Sequence, residues 1–248
     1  MKRSSPASRP PHCLPLAAVL TLALAGAAAP AGLAAQACLG SAALRGEFPV
    51  GVVAAVTDSS TEYRVEAGAN LEGPLAFRSS IGLLVRDGSD DYGFVGSGTG
   101  LWETGSGALS ACAVTGFRHA TWSFVPAGSG APFDASELSF PLGFGVGTHM
   151  GDGGPIRLAP ALGAGLLVSR FSSNMSSSGQ GNPPGPAELR ERDTELAFYL
   201  SASAGVSLGR ALLRAEWAYT TRDRFDPTLS IHLGIRLWSE ESTRRIRN

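Results

Sequence analysis

The chain has 248 residues, of which 17% are charged, with a formal net charge of −1 and three cysteines. A soluble surface calls for about 25–35% charged residues, so much of this exterior is expected not to face water. Lys2 is the only lysine, and no basic patch suggests a nucleic-acid partner.

Residues 1–37 carry the three parts of a secretory signal. Lys2, Arg3 and Arg9 form a basic start, Leu14 to Ala29 an apolar run, and Ala35-Gln36-Ala37 an A-x-A cleavage pattern. Cleavage after Ala35 is a close alternative. A lipid-modified Cys38 is another, although Ala35 stands where a lipobox wants leucine. Cleavage would leave about 210 residues, enough for one domain. It would also remove three cations, taking the net charge from −1 to −4. No later stretch offers the ~20 consecutive apolar residues of a membrane helix. A non-aqueous exterior without membrane helices implies a closed β-barrel, whose backbone groups all find partners within the chain.

The first expected strand, 46–57, points Phe48, Val50, Val52, Ala54 and Val56 outward. The second carries the clearest alternation: Tyr63, Val65, Ala67, Ala69 and Leu71 on one face, and Glu62, Arg64, Glu66, Gly68, Asn70 and Glu72 on the other. A period of two over this length is a strand with one apolar and one polar side. The third sets Phe77, Ile81, Leu83 and Val85 against Arg78, Ser80, Gly82 and Arg86. The fourth, 92–103, is glycine-rich and its facing is ambiguous. The fifth, 109–124, loses its alternation near Arg118 and His119, where a bulge is expected. The sixth, 137–148, alternates Leu138, Phe140, Leu142, Phe144 and Val146 with Ser139, Pro141 and three glycines. The seventh spans 156–171. Residues 172–193 are rich in Ser, Pro and Gly without periodicity, and are expected to be a mobile external loop. The eighth strand alternates from Leu196 to Leu208, the ninth sends Leu213, Ala215, Trp217 and Tyr219 outward, and the tenth does so with Leu229, Ile231, Leu233, Ile235 and Leu237.

The expected fold is therefore all-β: a transmembrane antiparallel up-and-down barrel of about ten strands, with eight as the alternative. Connections tend to alternate short and long, as periplasmic turns and external loops do; the short turn after the first strand is the exception. Phe48, Tyr63, Phe77, Tyr92, Trp102, Phe171, Trp217 and Tyr219 lie near strand ends, as an interfacial girdle requires. The domain organisation is a signal at 1–37, a barrel over 38–238 and a polar tail at 239–248.

Phe140-Pro-Leu-Gly-Phe-Gly-Val-Gly147, Leu158-Ala-Pro-Ala-Leu-Gly-Ala-Gly165 and Ile231-His-Leu-Gly-Ile-Arg-Leu-Trp238 resemble the small outer-membrane β-barrel proteins of Gram-negative bacteria. The resemblance implies outer-membrane localisation, with outer-membrane lipids and the barrel-assembly machinery as partners. Such barrels often end on an aromatic residue that the assembly machinery reads. Here Trp238 holds that place, but residues 239–248 follow it.

Arg64, Glu66, Arg78, Arg86, Glu137, Arg157, Arg214, Glu216 and Arg236 are expected to face inward and to pair across the lumen, because buried charges require partners. His232 is expected among them as a hydrogen-bonded lumen residue, and His149 to lie solvated in a turn. His119 lies near the outer rim, where Asp90, Asp91, Asp223 or Asp226 could approach it in an enzyme. Cys38 and Cys112 are expected to form a disulfide near the periplasmic mouth, with residues 39–44 crossing that mouth as a partial plug; the alternative is two small buried side chains. No histidine stands at ligand spacing from either cysteine, so no metal site is expected. The Gly-x-Gly-x-Gly runs at Gly96 and Gly143 precede no helix, so no nucleotide cofactor is expected. The functional expectation is a structural or passive-transport barrel with a small pore. The alternatives are a barrel enzyme acting on lipid or peptide at the cell surface, and a secreted soluble β-barrel.

Overall fold

The computed structural model describes residues 37–43, 46–71, 74–87, 92–104, 109–124, 133–151, 156–175, 189–221 and 227–237. The expected export signal, Trp238 and the polar tail lie outside them. Ten antiparallel strands make one closed barrel: β1 Pro49–Val56, β2 Ser60–Asn70, β3 Leu75–Arg86, β4 Tyr92–Thr104, β5 Leu109–Phe124, β6 Phe133–Thr148, β7 Ile156–Met175, β8 Leu189–Leu208, β9 Ala211–Thr220 and β10 Thr228–Arg236. Each strand pairs with the next in sequence, and β1 closes the wall against β10. This is the up-and-down architecture that the alternating segments predict, with ten strands rather than eight.

Closure leaves alternation with one meaning: one face of every strand looks out and the other looks into the lumen. The outward set is a band of large apolar side chains, with Phe144 69%, Leu196 66% and Ile81 62% exposed. Such a surface has no aqueous rationale on this scale, since large contiguous apolar patches mark interaction with a partner or a membrane. Among the described residues no helix is long and apolar enough to cross a membrane.

Constant register settles the two strands whose facing is ambiguous in the sequence. On β4, Tyr92, Phe94 and Trp102 are exposed and Val95, Leu101 and Glu103 are buried. Gly96, Gly98 and Gly100 therefore share the outward face. Phe117 lies over Gly98, its Cε1 2.7 Å from where a Cβ would stand, and Phe77 flanks Gly100 at 3.8 Å. On β5, Arg118 points in and His119 points out. The expected bulge is absent. Thr115 faces Leu142 and Arg118 faces Ser139, so the register is the same on both sides of the gap. Pairing lapses only opposite Phe140–Pro141, where proline brings no N–H to the ladder.

The wall is uneven. β7 and β8 each have 20 residues, whereas β1 has 8, β10 has 9 and β9 has 10. The expected loop at 172–193 is shorter than its composition suggests. Ser172 pairs with Arg192 and Met175 with Leu189, so both ends of that segment are strand. The backbone ladder supplies their hydrogen bonds, and periodicity fails there because neither face is apolar.

Candidate functional site

The lumen is filled at its terminal mouth, where the chain enters and leaves the wall. A single 3-10 turn, Ala37–Leu39, leads residues 40–43 across this opening. Cys38, Ser41, Ala42 and Ala43 are all buried. A disulfide joins Cys38 to Cys112 on β5, with Cα atoms 6.0 Å apart, within the range that the bond requires. Both the expected pairing and the expected plug are present. Around the bridge, Ala76, Leu101 and Val114 make a small apolar cluster with Leu39 against it.

The plug is seated by glycines. A Cβ on Gly145 of β6 would strike the carbonyl oxygen of Cys38, and one on Gly205 of β8 would strike that of Gly40. Gly40 adopts a φ of 65°, a left-handed turn suited to glycine, with Ser203 beside it. The segment thus lies against β5–β8 and leaves a recess on the opposite side. The recess, a cavity of about 50 Å³ open to the mouth, lies between Gly40–Ala42 and a wall bearing Glu66, Arg78, Arg214 and His232.

Above the plug the inward charges form two groups. On one side Arg214 Nη2 lies 3.6 Å from Glu66 and 3.8 Å from Glu216, and donates to the His232 ring at 2.7 Å. His232 stands 3.5 Å from Glu66 and 3.8 Å from Glu216. On the other, Arg118 reaches from β5 to a short contact with Glu62 on β2, passing over two intervening strands, and lies 3.7 Å from Glu137 on β6. Glu62 also meets Arg64 at 3.4 Å. Near the terminal mouth Arg236 donates to Glu47 at 2.6 Å.

The far mouth is lined differently. Arg86 sits over the Trp122 ring at 4.8 Å, in cation–π range, and Trp122 meets Phe171 at 6.0 Å. Leu84, Val95 and Ala120 pack beside Trp122. Phe171 therefore belongs to the lumen rather than to the expected aromatic girdle. The lumen has apolar clusters at both ends and charges between them.

All ten charged or histidine positions expected inside lie on the inward register. Arg64, Glu66, Arg214, Glu216, His232, Glu137 and Arg236 have ionic partners, while Arg86 has its tryptophan. Arg157 keeps Nη1 without a hydrogen-bond partner, and Arg78 keeps Nε without one. Sequence reasoning misses Glu47, Glu62 and Arg118 as network members. Glu62 was legible from its strand's parity, whereas Arg118 is obscured by His119 beside it. His119 is exposed on the outer wall, and the four aspartates expected near it lie outside the described residues. His149 is half-buried rather than solvated.

The sequence matches no protein-family model and no curated protein. Among solved structures, the N-terminal β-barrel domain of Pseudomonas aeruginosa OprF is similar over 78% of this chain and 98% of its own, at 11% identity and a TM-score of 0.36. Ail, the attachment invasion locus protein of Yersinia pestis, is similar over 78% of this chain and 100% of its own, at 14% identity and a TM-score of 0.37. At scores this low, barrel closure and the content of the lumen rest on this chain's own geometry.

Proposed function

We propose that this protein is an integral barrel of the bacterial outer membrane with a structural or small-pore role. The observation that supports this reading is the reversal of ordinary burial. Leu, Phe, Val and Ile cover the exterior, while Arg118, Glu62, Glu137, Arg214 and Glu66 meet inside. A soluble barrel would bury the apolar set and expose the charged one. Here hydrocarbon is the solvent that suits the outer wall, and among the described residues every strand of the closed wall has a hydrogen-bonded neighbour on each side. The lumen is polar enough to hold water, yet the plug and the cross-lumen ion pairs narrow it, so any flow is of small solutes only.

Planar-bilayer recording on purified protein tests the pore. Discrete, small openings that persist after detergent dilution support passive transport; silence would reduce the reading to a structural role. Membrane residence is tested separately. The protein should resist extraction by carbonate, require detergent, and migrate faster on an unboiled gel. Release by carbonate would refute it.

A further inference from the structure

Arg78 is an inward charge whose described surroundings do not balance it. Its side chain leaves β3 beside Gly68, with its Cγ 3.5 Å from where a Cβ on that glycine would stand. The residue is only 9% exposed. Among the described residues no carboxylate lies within ion-pair range of Arg78, and its Nε has no hydrogen-bond partner. It nonetheless lines the recess beside the plug. The one acid in that lining, Glu66, is already engaged by Arg214 at 3.6 Å and His232 at 3.5 Å. A buried guanidinium left unpaired is costly, and its planar fork of donors matches an oxyanion better than a spherical halide.

We propose that the recess between the plug and β1, β2, β3, β9 and β10 is a binding site for a small oxyanion, a phosphate or carboxylate group, with Arg78 as its principal ligand. Ser41 faces the same space from the plug. Its Oγ accepts from the Ala43 N–H at 3.4 Å, which leaves its hydroxyl proton free to donate to the anion. Arg214 adds positive potential from β9. The recess has room for a few water-sized positions, enough for one such group in place of that water. The site is composite, since half of it belongs to the wall and half to the segment tethered by Cys38. Bound anion would therefore hold the plug in place as well as satisfy Arg78.

The test is the unfolding midpoint of the full-length protein in detergent, titrated with inorganic phosphate at constant ionic strength set by chloride. A ligand that binds only the folded state raises the midpoint with concentration. Wild type should respond saturably. Arg78→Met, which keeps the length and removes the charge, should not respond. Arg78→Lys should need about fivefold more phosphate, because it keeps the charge and loses the fork. Arg157→Met, which alters a different inward arginine, should respond as wild type does. No response in wild type, an undiminished response in Arg78→Met, or equal losses in the Arg78 and Arg157 variants would each overturn the proposal. If Arg78→Met fails to fold, Arg78→Lys and Arg157→Met decide the matter between them. The readout requires no ion flow, so failure of the pore and failure of the anion site are told apart.

Discussion

Breaking the Cys38–Cys112 bond should reveal how much of the stability depends on one covalent tie. The bond closes a loop spanning 74 positions, nearly the whole first half of the wall. In the chain-entropy model such a cross-link removes about 15 cal/mol/K from the unfolded ensemble, or about 4.4 kcal/mol at 25 °C. Little is lost from the folded side at first, since Cys38, Ala42 and Ala43 remain buried against β5–β8. The comparison is between oxidised and reduced wild type in denaturant titrations of the detergent-folded barrel, followed by tryptophan fluorescence. The double variant Cys38→Ala/Cys112→Ala serves as a check that reductant acts through this bond. Both should lose about 4 kcal/mol, with the alanine form slightly worse because it also loses buried sulfur. A loss below about 1 kcal/mol would show that the unfolded chain in detergent is already restrained, and would refute the entropic reasoning.

Two further outcomes follow from the lumen. Arg118→Ala should destabilise the barrel by about 3 kcal/mol, because it leaves Glu62 and Glu137 facing each other without their shared cation. Adding Glu62→Gln and Glu137→Gln should recover most of that loss, and heat-modifiability on gels reads both; a neutral Arg118→Ala would mean that water already screens the triad. Gly205→Val should leave the outer wall intact but collide with Gly40, so the plug cannot seat. The Cys38–Cys112 bond should then be reduced about tenfold faster by dithiothreitol, through more frequent local opening; an unchanged rate would show that the plug adapts.

Most of the fold is legible in the sequence because outward-facing and lumen-facing positions carry opposite chemistry. β2 and β8 are read residue by residue, down to the outward Leu196, Phe198 and Leu200. Legibility fails where that contrast fails. On β4 the outward positions Gly96, Gly98 and Gly100 have no side chain to declare their face, and their apolar cover comes from Phe117 and Phe77 on neighbouring strands. The upper ends of β7 and β8 carry Ser172, Ser173, Asp193 and Arg192, polar on both faces, so only the backbone ladder reveals them as strand. Inside the lumen, the inward charges can be read from parity. Their partners cannot, because Arg118 reaches Glu62 across two intervening strands and no local spacing encodes that.

The placement of the plug has a simpler origin. Beside the plug, β6, β7 and β8 carry small inward residues, Gly145 and Gly147, then Ala161 and Gly163, then Ser203 and Gly205, while larger ones such as Glu137, Arg157 and Tyr199 stand elsewhere on these strands. β2, β3, β9 and β10 carry the long inward residues Arg64, Glu66, Arg78, Arg214, Glu216, His232 and Arg236, with smaller ones between them. A chain segment entering the mouth can approach the backbone only on the small side, where Gly145 and Gly205 meet the carbonyls of Cys38 and Gly40. It is excluded from the long side, whose charges must keep water, one another or an anion as partners. The same asymmetry that seats the plug therefore produces the recess, and places Arg78 in it. Cys112 on β5 stands at the near edge of the small half, where a disulfide can hold the segment without drawing it across the charges.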